Sequence, residues 1–530
     1  MKILVAEPIA PAGIELLKAQ KGWDIVVSNP KEYQDHLADC DALLVRSAVK
    51  VTPDVLDQAK NLKVIGRAGV GVDNVNLDAA TNAGVLVMNT PGGNAVSVAE
   101  HTLGLMLAMA RRIPRANAST KSGKWEKKAL MGNEIRGKTL GVVGLGSIGR
   151  EVVKRARGFE MKIVATDPYV NPQTASDLGV TLLTLDELYA QADYVSLHVA
   201  KTPETIGMLN DDAFAKMKDG IRIVNCARGE LIDSAALARA VESGKVAGAA
   251  LDVFEVEPPP ADSPLLAPEA ILMTPHVGGS TEEAQEIVGV RIAEQVIDYL
   301  QNGVALNAVN VPAMDAEEYR ATGPYVTLAE RLGTFASYVA EGNPKAVRII
   351  YKGNIAQRNT SLIRNAGIAG VLSRSLAHRA NVVNALQFAA DRGLSYAERH
   401  EPRASLTDSI GVELETDKGL TLVEGVVLLD RPRLIQVDGI PAEVDLQGHL
   451  LFMNNQDVPG VIATVGTVLA NNRINIASFS LGRRPPKSGS KGPGDAIAVV
   501  ETDGEVPEEV RAEILKNPAI TTARPVRFQS

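Results

Sequence analysis

The run Gly141-Val142-Val143-Gly144-Leu145-Gly146-Ser147-Ile148-Gly149-Arg150 constrains this chain more than any other stretch. Residues 139–143 read as a buried strand, the glycines as a tight turn, and residues 150–157 as the start of a helix. Gly144 permits the turn, Gly146 lets backbone N–H groups approach a pyrophosphate, and Gly149 allows the helix to pack closely on the strand. Residues 161–166 read as a second apolar strand. Asp167 closes it about 20 residues beyond the turn, where a carboxylate would accept hydrogen bonds from an adenosine ribose. A glycine triplet alone also occurs in ordinary loops, but the flanking strands and Asp167 favour a dinucleotide site. The expected cofactor is NAD, because Asp167 would repel a 2′-phosphate and Pro168-Tyr169 supplies no arginine to neutralise one.

A chain of 530 residues is long for one core and implies about three to four domains. The net charge of −8 advertises no basic surface for nucleic acid or acidic lipid. Residues 1–8 read as a short strand running into a turn rather than a signal peptide, and apolar stretches such as 103–110 are too short to span a membrane. Cys40 and Cys226 are the only cysteines and have no metal-ligand spacing, so the expectation is a metal-free cytoplasmic protein.

Residues 1–97 repeat a strand–helix–strand pattern, with strands at 2–6, 42–45, 64–68 and 85–88, as in an α/β unit with its own parallel sheet. A loop at 89–94 leads into a long apolar helix at 96–111. After the nucleotide turn come strands at 194–198, 221–225, 247–252 and 271–274, then a helix at 282–301 long enough to return the chain to the first unit. The nucleotide unit is thereby inserted into the first, with a cleft between them, and residues 309–312 read as the exit linker. Residues 313–447 mix helices with alternating strands and carry no catalytic constellation. From residue 449 the pattern is βαββαβ, the ferredoxin-like order, with elements at 449–457, 460–470, 474–481, 495–501, 508–516 and 520–528 and a mobile hairpin tip at 487–494.

Three segments fall at strand ends, where doubly wound folds place their sites: residues 225–229, 252–258 and 274–279. Each supplies a group that hydride transfer to a keto acid requires. Arg228 offers a planar, permanently charged fork for a carboxylate. His276 can take or return the alcohol proton. Glu257 could pair with His276, raising the imidazole pKa and fixing its tautomer. Singly, each has an ordinary structural explanation: a surface salt bridge, a solvated loop acid, a satisfied turn residue. Their joint placement after a dinucleotide turn is what points to catalysis. Arg46 and Arg67 end first-unit strands facing the expected cleft and could contact a phosphate bidentately.

In the order Gly144 to Gly149 with Asp167, 225–229, 252–258 and Pro275-His276, these motifs resemble the D-isomer-specific 2-hydroxyacid dehydrogenase family over about residues 1–310. Residues 45–47, 66–74 and 89–91, with the long extension, resemble the family's long form that acts on phosphoglycerate. The resemblance implies an α/β fold: a Rossmann-like doubly wound nucleotide domain (98–285) inserted in a flavodoxin-like substrate domain (1–97 and 286–311). An α+β intervening domain (312–446) and a ferredoxin-like ACT regulatory domain (447–530) would follow. It further implies catalysis by Arg228, Glu257 and His276, with the backbone near Val70 and Gly71 holding the substrate carboxylate. Val70, Ser147, Ile148, Asp167, Cys226, Ala227, Arg228, Asp252, His276 and Gly278 would line NAD, beside Gly144, Gly146 and Gly149.

By the same resemblance Arg46, Ser47, Arg67 and Lys127 are substrate candidates. Lys127, with Lys128, stands near Trp125, where the family often carries a basic residue reaching across a dimer. The implied reaction is NAD-dependent oxidation of D-3-phosphoglycerate to 3-phosphohydroxypyruvate, the first step of phosphorylated L-serine biosynthesis, in a homodimer or homotetramer. L-Serine is the implied effector, at Asn455, Asp457 and Asn475; the alternative is that Asp457 caps a helix and Asn475 completes a turn. The rival readings are a glyoxylate or hydroxypyruvate reductase, and an NAD-sensing corepressor-like binding protein.

Overall fold

The computed structural model describes residues 1–374, 380–402, 407–484 and 494–528. The expected hairpin tip, apart from Gly494, lies outside the described residues.

Strands Asp24–Val27, Lys2–Val5, Ala42–Val45, Val64–Arg67 and Leu86–Met88 form, in that spatial order, a parallel sheet. This is the flavodoxin-like order. Every residue of Ala42–Val45 is buried, which explains its unbroken apolar run: helices cover both faces of a parallel sheet. The edge strand Asp24–Val27 was not expected, and its partial exposure explains why.

The second sheet is also parallel and runs Ile271–Met273, Val246–Leu251, Ile221–Asn225, Tyr194–Leu197, Thr139–Val143, Lys162–Thr166, Thr181–Leu182. Strand order reverses between Thr139–Val143 and Tyr194–Leu197, the switch point at which doubly wound sheets bind ligands. Helix Ala95–Ala110 packs on this sheet, and its Val98, Leu103 and Met106 share a core with Leu140 and Val142.

Helix Glu282–Asn302 makes the return. Thr281 caps its start by accepting from the Ala284 N–H, and Gly303, at φ 73°, ends it in the left-handed region. Val288, Ile292 and Val296, spaced four apart on one face, join Ile3, Val5 and Leu44 in a single core. The expected exit linker is not free. The Val309 N–H donates to the Val87 carbonyl at 2.8 Å, and Asn310 Oδ1 accepts from the Val87 N–H at 2.9 Å, so this stretch is tied to the strand Leu86–Met88.

The third sheet has six strands: Ser395–Glu401, Pro344–Lys352, Ser409–Thr416, Leu420–Leu428, Arg431–Val437 and Ile440–Asp445, antiparallel except for the first pair. Helices Ala316–Val339 and Ser361–Leu372 pack on it through Leu332, Phe335 and Ile363. The fourth sheet is antiparallel in the order Ile476–Arg483, Asp495–Thr502, His449–Gln456, Ile520–Arg527. With helices Val461–Asn471 and Glu508–Ile514 it makes βαββαβ. Leu451, Met453 and Val500 face those helices. Phe452, Val499 and Val526 on the other face join the core of the third sheet, and Phe452 meets Phe335 edge-on at 5.8 Å. Among the described residues no helix is long and apolar enough to cross a membrane.

Candidate active site

The glycine turn has room for a dinucleotide. Gly144 adopts φ 97°, and a Cβ there would lie 2.7 Å from the His198 carbonyl; one on Gly149 would lie 2.1 Å from the Gly144 carbonyl. A Cβ on Gly146 would meet nothing within 4 Å, so open space lies before the helix Ser147–Gly158. That helix has no side-chain cap and no acid in its first turn, which leaves its first N–H groups for an anion. Asp167 sits beside the turn, accepting from the Leu145 N–H at 2.8 Å and the Tyr169 N–H at 2.9 Å. Its remaining lone pairs can receive ribose hydroxyls. Free N–H donors, an open glycine and a carboxylate are the donor and acceptor set NAD requires, so the group fits here.

His276 and Glu257 come together at the mouth of the second sheet: His276 Nδ1 is 2.7 Å from Glu257 Oε2. A carboxylate only accepts, so Nδ1 carries a proton, and in the neutral ring Nε2 keeps its lone pair. The hydrogen bond it donates to Glu257 raises the His276 pKa, against burial that lowers it. Burial pushes the Glu257 carboxyl upward, but the His276 bond and the Phe254 N–H at 3.0 Å outweigh it and hold the group below its ordinary value.

Asp252, another of the cofactor candidates, lies at the base of the same loop. Its carboxylate is buried and accepts from Thr274 Oγ1 at 2.6 Å, the Val277 N–H at 2.9 Å and the Gly278 N–H at 2.8 Å. It shapes the loop that carries His276. Cys226 and Ala227 are buried at the neighbouring strand end, and burial pushes the Cys226 thiol up to about 12.

Arg228 Nη2 pairs with Asp73 Oδ2 at 3.0 Å, and Nη1 donates to the Ala227 carbonyl at 2.7 Å. Gly71 makes this possible, because a Cβ there would lie 2.1 Å from Arg228 Nη2. Val70 is held by Asn89, whose Nδ2 donates to its carbonyl at 2.5 Å. Arg67 is depressed below the usual guanidinium range by burial first and then by the neighbouring charge of Arg228, with Arg46 adding to it. Its Nε is buried with no hydrogen-bond partner. The charges of Arg46 and Arg228 thus both act on Arg67, a positive field that suits an anion with charge at both ends. Arg46 Nη1 reaches only the Pro8 carbonyl, at 3.4 Å, and Ser47 is exposed next to it. Lys127 lies elsewhere, its Nζ 5.7 Å from the centre of the exposed Trp125 ring.

The effector candidates are not gathered in one place. Asp457 pairs with Arg483 Nε at 3.2 Å and does not cap the following helix, whose cap position is Gly460. Asn475 donates to Asp503 Oδ2 at 3.0 Å. Because Ile476 pairs with Thr502 and Arg483 with Ala496, Asn475 stands at the opposite end of the sheet from residues 455–457. Asn455 is buried, and its Oδ1 has no partner.

Sequence reasoning missed His198 and His101. The His198 Nε2 lies 2.8 Å from Ser196 Oγ, and burial lowers its pKa to about 4, so it is neutral beside the glycine turn. His101 lies against Asp252 and Thr274. A histidine directly after a strand and one inside an apolar helix were the available signals.

Residues 103–278 match the D-isomer specific 2-hydroxyacid dehydrogenase NAD binding domain, 321–438 the D-3-phosphoglycerate dehydrogenase intervening domain, and 449–519 the ACT domain. The chain is 42% identical to D-3-phosphoglycerate dehydrogenase of Methanocaldococcus jannaschii, over 98% of each chain. It is 40% identical to the Archaeoglobus fulgidus enzyme of that name, over 99% of each. A glyoxylate reductase structure from Paecilomyes thermophila superposes with a TM-score of 0.53 at 31% identity, covering 98% of that chain but 58% of this one. With an NAD turn, a His–Glu pair and an arginine cluster in place, and with relatives aligned from end to end, the chain belongs to the D-3-phosphoglycerate dehydrogenases, within the D-isomer-specific 2-hydroxyacid dehydrogenase family.

Proposed function

We propose that this chain oxidises D-3-phosphoglycerate to 3-phosphohydroxypyruvate with NAD, the entry to phosphorylated serine synthesis. The observation that carries the reading is the His276–Glu257 pair with the Arg228 charge acting on His276 from one side and on Arg67 from the other. NAD would supply the acceptor for the hydride that leaves the substrate's carbinol carbon. It would be held by the N–H groups at Gly146, Ser147 and Ile148 and by Asp167, with Val70, Cys226, Ala227 and Gly278 at its border. Arg228 clamps the substrate carboxylate with help from the backbone at Val70 and Gly71, and polarises the adjacent carbon–oxygen bond. His276 Nε2 removes the hydroxyl proton, and Glu257 stabilises the imidazolium that results. Arg46 and Arg67 take the phosphate.

We further propose the domain division 1–97 with 286–311, 98–285, 312–446 and 447–530. A homodimer or homotetramer would let Lys127 reach a neighbouring cleft, as the exposed Trp125 and Met131 support. Serine would bind the ACT domain at Asn455, whose buried Oδ1 lacks a partner, and at Asp457, with Asn475 supplied across a subunit interface.

The test is NADH formation with D-3-phosphoglycerate, set beside NADH oxidation with glyoxylate and hydroxypyruvate. The reading requires the phosphorylated pair to be preferred by about two orders of magnitude in kcat/KM, the scale of one or two lost charge-assisted hydrogen bonds. Equal use of glyoxylate would favour the reductase reading. Tight NAD binding without turnover would favour the corepressor-like one.

A further inference from the structure

Beneath the catalytic loop lies a second histidine that the reaction chemistry does not use. His101, on helix Ala95–Ala110, turns Nε2 toward Thr274 Oγ1 at 3.1 Å and Asp252 Oδ1 at 3.3 Å. The Thr274 hydroxyl gives its one proton to Asp252 Oδ1 at 2.6 Å, so its oxygen can only accept from the imidazole. The carboxylate also only accepts. Nε2 of His101 therefore carries a proton, donating it to Thr274 Oγ1 with Asp252 Oδ1 3.3 Å away, whatever the charge of the ring.

The carboxylate that His101 touches organises everything around His276. Asp252 is 1% exposed, and its side chain receives the Val277 and Gly278 N–H groups. Its backbone carbonyl receives the His276 N–H at 2.8 Å. His276 itself sits at φ 52°, a left-handed conformation that a residue other than glycine keeps only where its surroundings over-determine it. Gly278 fits beneath, since a Cβ there would lie 3.0 Å from Asp252 Oδ2 and 3.7 Å from His101 Cδ2. The other titratable groups facing Asp252 are the buried Cys226 thiol from the adjacent strand end, and His276 and Glu257 from the loops.

We propose that His101 is a positioning residue for the dehydrogenase reaction, fixing the Asp252 carboxylate so that residues 274–278 hold the His276 ring in its productive orientation. Without the His101 donor, the Thr274 hydroxyl that bonds the buried carboxylate loses its own partner, the carboxylate loses a polar neighbour, and the loop it anchors loosens. Substrate and NAD contacts made by Arg228 and by the glycine turn are untouched, so the loss falls on kcat rather than on KM. This inference rests on the reading of His276 as the proton-transfer group.

The test compares His101→Phe, His101→Gln, Thr274→Val, His276→Asn and the double variant His101→Phe with His276→Asn in the full chain. His101→Phe should lower kcat by about tenfold while moving either KM by less than about threefold, and Thr274→Val should follow it. His101→Gln keeps an N–H donor and should recover most of that loss. The double variant should be no slower than His276→Asn alone, because His101 acts through His276. If His101→Phe does not fold, Thr274→Val and His101→Gln carry the comparison, with an unchanged kcat in Thr274→Val overturning the proposal. It is also overturned if His101→Phe keeps kcat within about twofold of the parent, if Phe and Gln are equally slow, or if the double variant loses a further factor. A His276→Asn protein with full activity would instead remove the reading on which the inference stands.

Discussion

Asp73 and Arg228 meet at 3.0 Å, one from the loop after the strand Val64–Arg67 and the other from the end of the strand Ile221–Asn225. The pair joins the two halves of the cleft. It keeps the guanidinium extended across Gly71 and leaves the fork close to the backbone that would hold a substrate carboxylate.

Replacing Gly71 with Ala places a Cβ 2.1 Å from Arg228 Nη2 and 2.8 Å from Asp73 Oδ2. Both are ends of flexible side chains, so they move and the fold survives. We expect the melting temperature to change little and KM for the hydroxy acid to rise about tenfold, which corresponds to about 1.4 kcal/mol. Steady-state kinetics with thermal denaturation checks both halves.

Glu257→Gln removes the charge that raises the His276 pKa, so the imidazole loses its proton at lower pH. Oxidation needs the neutral ring as base. The acidic limb of the kcat/KM profile for oxidation should therefore shift downward in the variant, while the maximal rate falls because the imidazolium loses its stabiliser. An unmoved limb would remove Glu257 from the pair.

The nucleotide half of the fold was legible because turn chemistry is local: Gly144, Gly146, Gly149 and Asp167 lie close together in sequence, and each strand around them is a buried apolar run. The strand Asp24–Val27 was not, because an exposed edge carries no such run, and Thr181–Leu182 is too short to show a period. The Arg228–Asp73 pair and the His101–Asp252 contact join residues far apart in sequence, and no spacing rule announces them. The burial of the Phe452 and Val499 face against the intervening sheet was equally hidden, since an alternating strand does not say what covers its apolar side.

Asp167 should make the site selective for NAD. Its carboxylate, already fixed by the Leu145 and Tyr169 N–H groups, cannot turn away from a 2′-phosphate. NADPH should bind at least about tenfold more weakly than NADH in a fluorescence titration, and Asp167→Ala should narrow the gap. Equal binding in the parent would contradict the role given to Asp167.

Serine at millimolar concentration should slow the parent enzyme and lose that effect in Asn455→Ala and Asp457→Ala. Point variants are the right tool, because deleting the ACT domain would strip Phe452, Val499 and Val526 from the core they share with the intervening sheet. Equal slowing in all three proteins would place serine at the active site instead.

The central claim is that the arginine cluster reads a phosphate at the far end of a D-2-hydroxy acid. It is tested most directly by the ratio of kcat/KM for D-3-phosphoglycerate to that for D-glycerate, in the parent, Arg46→Ala and Arg67→Ala. The account predicts a parent ratio of about 100 or more, falling about tenfold in each variant with D-glycerate turnover largely kept, as expected for the loss of one charge-assisted contact each. A parent ratio near one, or a ratio that neither substitution moves, would contradict it.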